Sequence, residues 1–81
     1  MNPVEIAQII ETGLAGSRAL VKSDDNVHFE AVVISPAFAG KRSVQRHQLV
    51  YGTLGQAVGN EIHALALQAF TPEEFAAQGH G

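Results

Sequence analysis

Two stretches decide the fold: FAGKRSVQRHQLVYGTL, Phe38 to Leu54, and IHALALQAFTPEEF, Ile62 to Phe75. In the first, Gly40 sits in a loop and Ser43 can cap a helix. In that helix Val44, His47, Val50 or Tyr51, Leu54 and Val58 recur every three or four residues, the spacing of one helix face. In the second, Ile62 to Phe70 is almost wholly apolar, which predicts a strand covered on both faces. Thr71-Pro72-Glu73-Glu74 then starts another helix: a hydroxyl cap precedes a proline whose missing N–H has no partner to lose at that position. Gly52, Gly55 and Gly59 share the helical spacing of the first stretch. Each costs up to about 1 kcal/mol relative to Ala, which predicts close approach of another backbone along that side.

Upstream, Asn2-Pro3-Val4-Glu5 combines an Asn cap, a first-turn proline and a glutamate that can reach back to the cap amide. Val4, Ile6, Ile9, Ile10 and Leu14 continue as an apolar stripe, and Gly13 or Gly16 can end the helix. Arg18 to Lys22 and Val27 to Ile34 alternate apolar with polar residues around Ser23-Asp24-Asp25-Asn26, a β-hairpin with a short acidic loop. Ser35-Pro36 breaks the second strand, and Ala37 to Arg42 crosses the surface as a loop. The predicted order is α-β-β-α-β-α. It makes an α+β fold in which a hairpin is extended, through a crossover helix, into a three-stranded mixed sheet packed with helices.

With 81 residues and 46% hydrophobic residues, one domain over residues 1–81 is expected, because a chain this short hides only about 60% of its unfolded surface. A deep enclosed active site is not expected on so small a core. The absence of cysteine excludes a disulfide framework and any thiolate metal site made by this chain alone. Met1 to Glu11 reads as an amphipathic helix rather than a secretion signal, and no apolar run nears the roughly 20 residues that span a bilayer. A cytoplasmic protein without membrane contact is expected. The formal charge of −3 argues against a strong sequence-independent hold on phosphate backbones.

Four histidines stand out. His63 opens the third strand, where it is either a strand-end residue satisfied by a backbone carbonyl or an imidazole ligand. For ligation its ring must leave the core at the strand's end. His28, beside the acidic loop, is either a solvated hairpin residue or a second ligand. His47 belongs to the amphipathic helix, and His80 lies in the tail. Lys41, Arg42 and Arg46 form the basic cluster, with His47 next to them. That cluster is either a solvated helix start or a docking patch for nucleic acid or an acidic partner. Catalysis is not expected: no nucleophile stands beside a base, no phosphate-loop fingerprint is present, and Asp24-Asp25 and Glu73-Glu74 have turn and helix-start explanations.

Phe38 and Gly40, Arg42 to Val44, Arg46-His47, Val50-Tyr51 with Leu54, and Ile62-His63-Ala64 together resemble the BolA family over essentially the whole chain. The short hairpin loop is similar to that of its short IbaG-type branch. The resemblance implies a class II KH-like fold and an adaptor that partners a monothiol glutaredoxin. Such an adaptor shares or transfers a 2Fe-2S cluster, with roles in cluster trafficking or iron sensing. Glutaredoxin and glutathione would supply sulfur ligands and this chain imidazole, so no cofactor is expected in the isolated protein. His63 matches the family's C-terminal ligand, and His28 is the nearest candidate for the other. Neutral imidazole is available near pH 7, since an unperturbed histidine titrates at about 6.5, and imidazole in place of thiolate raises a cluster's potential. The alternative is a small nucleic-acid-binding transcriptional regulator using Lys41, Arg42 and Arg46. The strings Gly13 to Gly16 and Gly52 to Gly55 do not stand between two helices as a KH clamp requires.

Overall fold

The first helix, α1 (Pro3–Gly13), starts as its sequence dictates: Asn2 Oδ1 accepts the Glu5 amide at 2.9 Å, and Glu5 Oε1 accepts the Asn2 amide at 3.1 Å. This computed structural model describes residues 1–59, 62 and 64–78. After α1 come β1 (Arg18–Lys22), β2 (His28–Ile34), α2 (Ser43–Leu54), β3 (Ala64–Phe70) and α3 (Pro72–Ala77), with single 3-10 turns at Pro36–Phe38 and Gly55–Ala57. The sheet order is β1-β2-β3. β2 runs antiparallel to β1, with Leu20 opposite Val32, and parallel to β3, with Val32 opposite Gln68. The parallel pair is what obliges α2 to cross over the sheet, and the α+β fold with a mixed sheet is as expected.

One face of the sheet is covered. Phe29, Ala31 and Val33 of β2 pack with Ala19, with Ile6, Ile10 and Leu14 from α1 and the residue that follows it, with Val50 and Leu54 of α2, and with Phe38 and Ile62. The other face is open: Arg18, Leu20, Lys22, Glu30, Ala66 and Gln68 are exposed. Every described helix is too short or too polar to cross a membrane.

Several expectations change. β3 was expected to be covered on both faces, but it lies at the sheet's edge and none of its residues is fully buried; Leu65, Leu67 and Ala69 are half-buried, while Ala64, Ala66 and Gln68 are exposed. Alanine hides the period-2 pattern, because it counts as apolar yet presents too little surface to demand burial. The strand that is buried is β2. Val4 and Val44, placed on core stripes by spacing, are 65% and 68% exposed. Ser43 is the first residue of α2 rather than its cap: the capping residue is Arg42, whose amide is accepted by Gln45 Oε1 at 3.0 Å. Val58 lies beyond the helix, which ends where Gly55 takes φ +58.

The glycine face of α2 is not approached either, since among the described residues nothing lies within 4 Å of where a Cβ would stand on Gly52, Gly55 or Gly59. The close approach is made by Gly13 of α1, whose Cβ would stand 2.8 Å from Thr53 Cγ2. Thr53 cannot readily turn aside, because its hydroxyl donates to the Val50 carbonyl at 2.6 Å. Gly13→Ala is therefore expected to destabilise the fold, the overpacking cost of about 1–3 kcal/mol exceeding the helix-propensity gain of about 1 kcal/mol. Adding Thr53→Ser, which removes Cγ2 and keeps the hydroxyl, should recover part of the loss. Denaturant unfolding of the two variants checks both.

Candidate functional site

The hairpin loop is built around two side chains. Ser23 Oγ donates to the His28 carbonyl at 2.6 Å and accepts the Asn26 amide at 2.9 Å, which holds Asn26 in a left-handed conformation at φ 58. Asp25 Oδ1 accepts the amides of Val27 and His28, both at 2.9 Å, and its Oδ2 meets His28 Nδ1 at 2.8 Å. The imidazole and these two amides hold the Asp25 carboxyl well below the ordinary carboxylate range.

His28 is the first residue of β2 and sits opposite Ala64, the first residue of β3. Its side chain is 69% exposed. A ring with Nδ1 on a carboxylate keeps Nε2 for another contact, the arrangement by which carboxylates orient metal-bound histidines. Beside it opens a recess of about 460 Å³ lined by residues including Ser23, Asp25, Glu30 and Ala64. His63, the residue before Ala64 in the chain, and His80 lie outside the described residues. Among the described residues no three His, Cys, Asp or Glu side chains converge as a metal cage would require.

The basic cluster divides. Arg46 was a candidate for either a solvated helix start or a docking patch, but its guanidinium is engaged within the fold and its side chain is only 13% exposed. Nε donates to the Lys41 carbonyl at 2.9 Å; Nη1 donates to the Ala69 carbonyl at 3.2 Å and to Glu74 Oε1 at 2.6 Å; Nη2 donates to Glu74 Oε2 at 3.1 Å. The group also lies 5.9 Å from the centre of the Phe38 ring. Arg46 thus joins the loop before α2, the end of β3 and the start of α3. His47 is half-buried and meets Tyr51 edge-on at 6.3 Å. Lys41 and Arg42 are exposed and form no ion pair among the described residues.

Two carboxylates thus do more than their sequence context indicated. Asp25 was read as turn chemistry, and its three-residue spacing to His28 was the available signal for the pairing. Glu74 was read as part of a helix start. It does accept the Thr71 amide at 2.8 Å, yet it also holds Arg46, a partner 28 residues away that no local pattern marks.

A family model described as BolA-like protein matches residues 5–74. The chain belongs to the BolA-like family. Over 51 residues it is 51% identical to the DNA-binding transcriptional regulator BolA of Haemophilus influenzae, covering 63% of this chain and 50% of that one. It is also similar to the SufE-like protein 1, chloroplastic/mitochondrial, of Arabidopsis thaliana, at 35% identity over 91% of this chain and 21% of the other. The solved structure of a bolA protein homologue from Coxiella burnetii superposes with a TM-score of 0.85 at 44% identity, covering 94% of this chain and 97% of that one. The chain spans about half the length of most of the curated relatives it matches.

The Arg46–Glu74 contact gives the BolA-like fold a defined acid sensitivity. Arg46, and then the Thr71 amide, lower the Glu74 carboxyl from 4.5 to about 2. A group whose pKa is lower folded than unfolded stabilises the fold above its unfolded value, and that contribution disappears as protons bind. The contribution of Glu74 is thus complete above pH 4.5 and lost as pH falls from there towards 2. Glu74→Gln should lower the melting temperature at neutral pH and flatten its decline across that acid range, as followed by thermal melts at stepped pH.

Proposed function

We propose that the chain is an adaptor that docks a monothiol glutaredoxin and shares or hands on a 2Fe-2S cluster as cargo. In this reading His63 and His28 offer imidazole, and the partner with its glutathione offers sulfur. The observation that carries the reading is His28: an exposed ring, oriented by Asp25 through Nδ1, at the strand position opposite Ala64, the residue after His63. Because the chain has no cysteine, the thiolates that such a cluster needs must come from another molecule. The Asp25 carboxylate fits the role of a group that raises the basicity of a ligating imidazole and fixes its orientation. The open recess beside the ring leaves room for a second protein to approach.

Mixing the protein with cluster-loaded monothiol glutaredoxin should form a complex whose visible circular dichroism differs from that of glutaredoxin alone. His63→Ala and His28→Ala should each change that spectrum or shorten the cluster's lifetime, while far-UV spectra show the fold intact. No complex, or a spectrum indifferent to both substitutions, rules the reading out.

A second reading is nucleic-acid binding, favoured by the Haemophilus relative's name and by the outward-facing Lys41 and Arg42. Two cations neutralising two phosphates give a slope of about −2 for log affinity against log salt. Lys41→Ala with Arg42→Ala should abolish that dependence in a DNA titration; an absence of binding even at low salt eliminates this reading.

A further inference from the structure

Among the described residues no strand pairs with the outer edge of β3. Ser35 N–H donates to the Phe70 carbonyl at 2.9 Å, so the Phe70 backbone turns towards β2. By strand alternation so do those of Gln68, Ala66 and Ala64, while the backbones of Leu65, Leu67 and Ala69 turn outward. The bond from Arg46 to the Ala69 carbonyl agrees with this assignment. Beyond that bond, the outward amides and carbonyls of Leu65 and Leu67 and the Ala69 amide have no partner among the described residues. Proteins ordinarily protect such an edge with charges, proline or a cover. From Ala64 to Phe70 β3 carries no charge.

The opposite edge differs. Glu11 Oε2 accepts the Ala19 amide of β1 at 2.9 Å, and β1 begins with Arg18 and ends with Lys22. Were two copies of β1 to pair antiparallel about Leu20, Arg18 of each would stand opposite Lys22 of the other, a repulsive arrangement at two places. Two copies of β3 paired about Leu67 place Leu67 opposite Leu67, Leu65 opposite Ala69 and Ala66 opposite Gln68, with no like charges facing each other.

We propose that the outer edge of β3 is a pairing site for β3 of a second copy, antiparallel and centred on Leu67. The two sheets then form one continuous sheet about a two-fold axis. The two-fold axis makes the contact isologous, so β3 of each copy is used once and the pair closes as a dimer. The occupant is a second copy because the strand is complementary to itself and the charge pattern of β1 is not.

The test is sedimentation velocity of the full chain over a wide concentration range, with amide hydrogen exchange alongside. The wild type should pass from monomer to dimer, with the Leu65 and Leu67 amides exchanging more slowly in the dimer. Ala66→Lys with Gln68→Lys, at two exposed positions, sets lysines opposite each other and should abolish the dimer with the far-UV spectrum unchanged. Ala66→Lys with Gln68→Glu sets opposite charges across the axis and should retain it. A wild type that stays monomeric throughout overturns the proposal, which would leave the edge to a different protein. A double-lysine variant as dimeric as the wild type, or amides whose exchange ignores concentration, overturns it as well.

Discussion

Burial of one face of β2 is the constraint on which the rest of the structure depends. β2 is the strand paired on both sides, so its backbone groups are satisfied without water, and Phe29, Ala31 and Val33 are free to enter the core. The described helices cover one face of the sheet. α1 and α2 achieve that cover by approaching closely where Gly13 meets Thr53. The uncovered face follows, and with it the exposure of Leu20, Glu30, Ala66 and Gln68 in the opposite phase of the strands, where Val32, Ile34 and Phe70 stay half-buried. His28 reaches solvent because it occupies that phase at the strand's first position, and Asp25 then decides how its ring is turned.

At the far end of the sheet Arg46 satisfies one outward carbonyl of the edge strand, that of Ala69. It bonds two backbone carbonyls and both oxygens of Glu74, with its side chain largely withdrawn from water. A bidentate carboxylate pair of this kind has fixed geometry, so it sets where α3 starts relative to β3. It also changes the character of the helix start. Three cations close together in sequence become two on the surface and one in the structure, which narrows any outward electrostatic role of these three to Lys41 and Arg42.

Much of the fold was legible. β1 runs from Arg18 to Lys22 as its alternation predicted, and the starts at Asn2 and Thr71 are reciprocal caps because their partners lie three residues away. The cap of α2 was misread, since Ser43 has the right side chain but Gln45 reaches back to Arg42 instead. The apolar run of β3 implied cover on both faces, yet its alanines are apolar without needing burial. Glycines at helical spacing pointed to a packed face on α2, whereas Gly55 ends that helix and the packed glycine is in α1. Of the site, the Asp25–His28 pairing was within reach of sequence spacing, while the Glu74–Arg46 pairing was not.

By itself the sequence determined which segments are helix or strand, where most of them start, and that their order requires a crossover. Periodicity, caps and turn residues act between neighbours a few positions apart, and such interactions are written in the chain. Tertiary structure alone decided which strand lies at the centre, which face stays open, and which of three neighbouring cations turns inward. Those outcomes depend on contacts between residues distant in sequence, where packing and hydrogen-bond geometry select one arrangement from several that the local pattern allows.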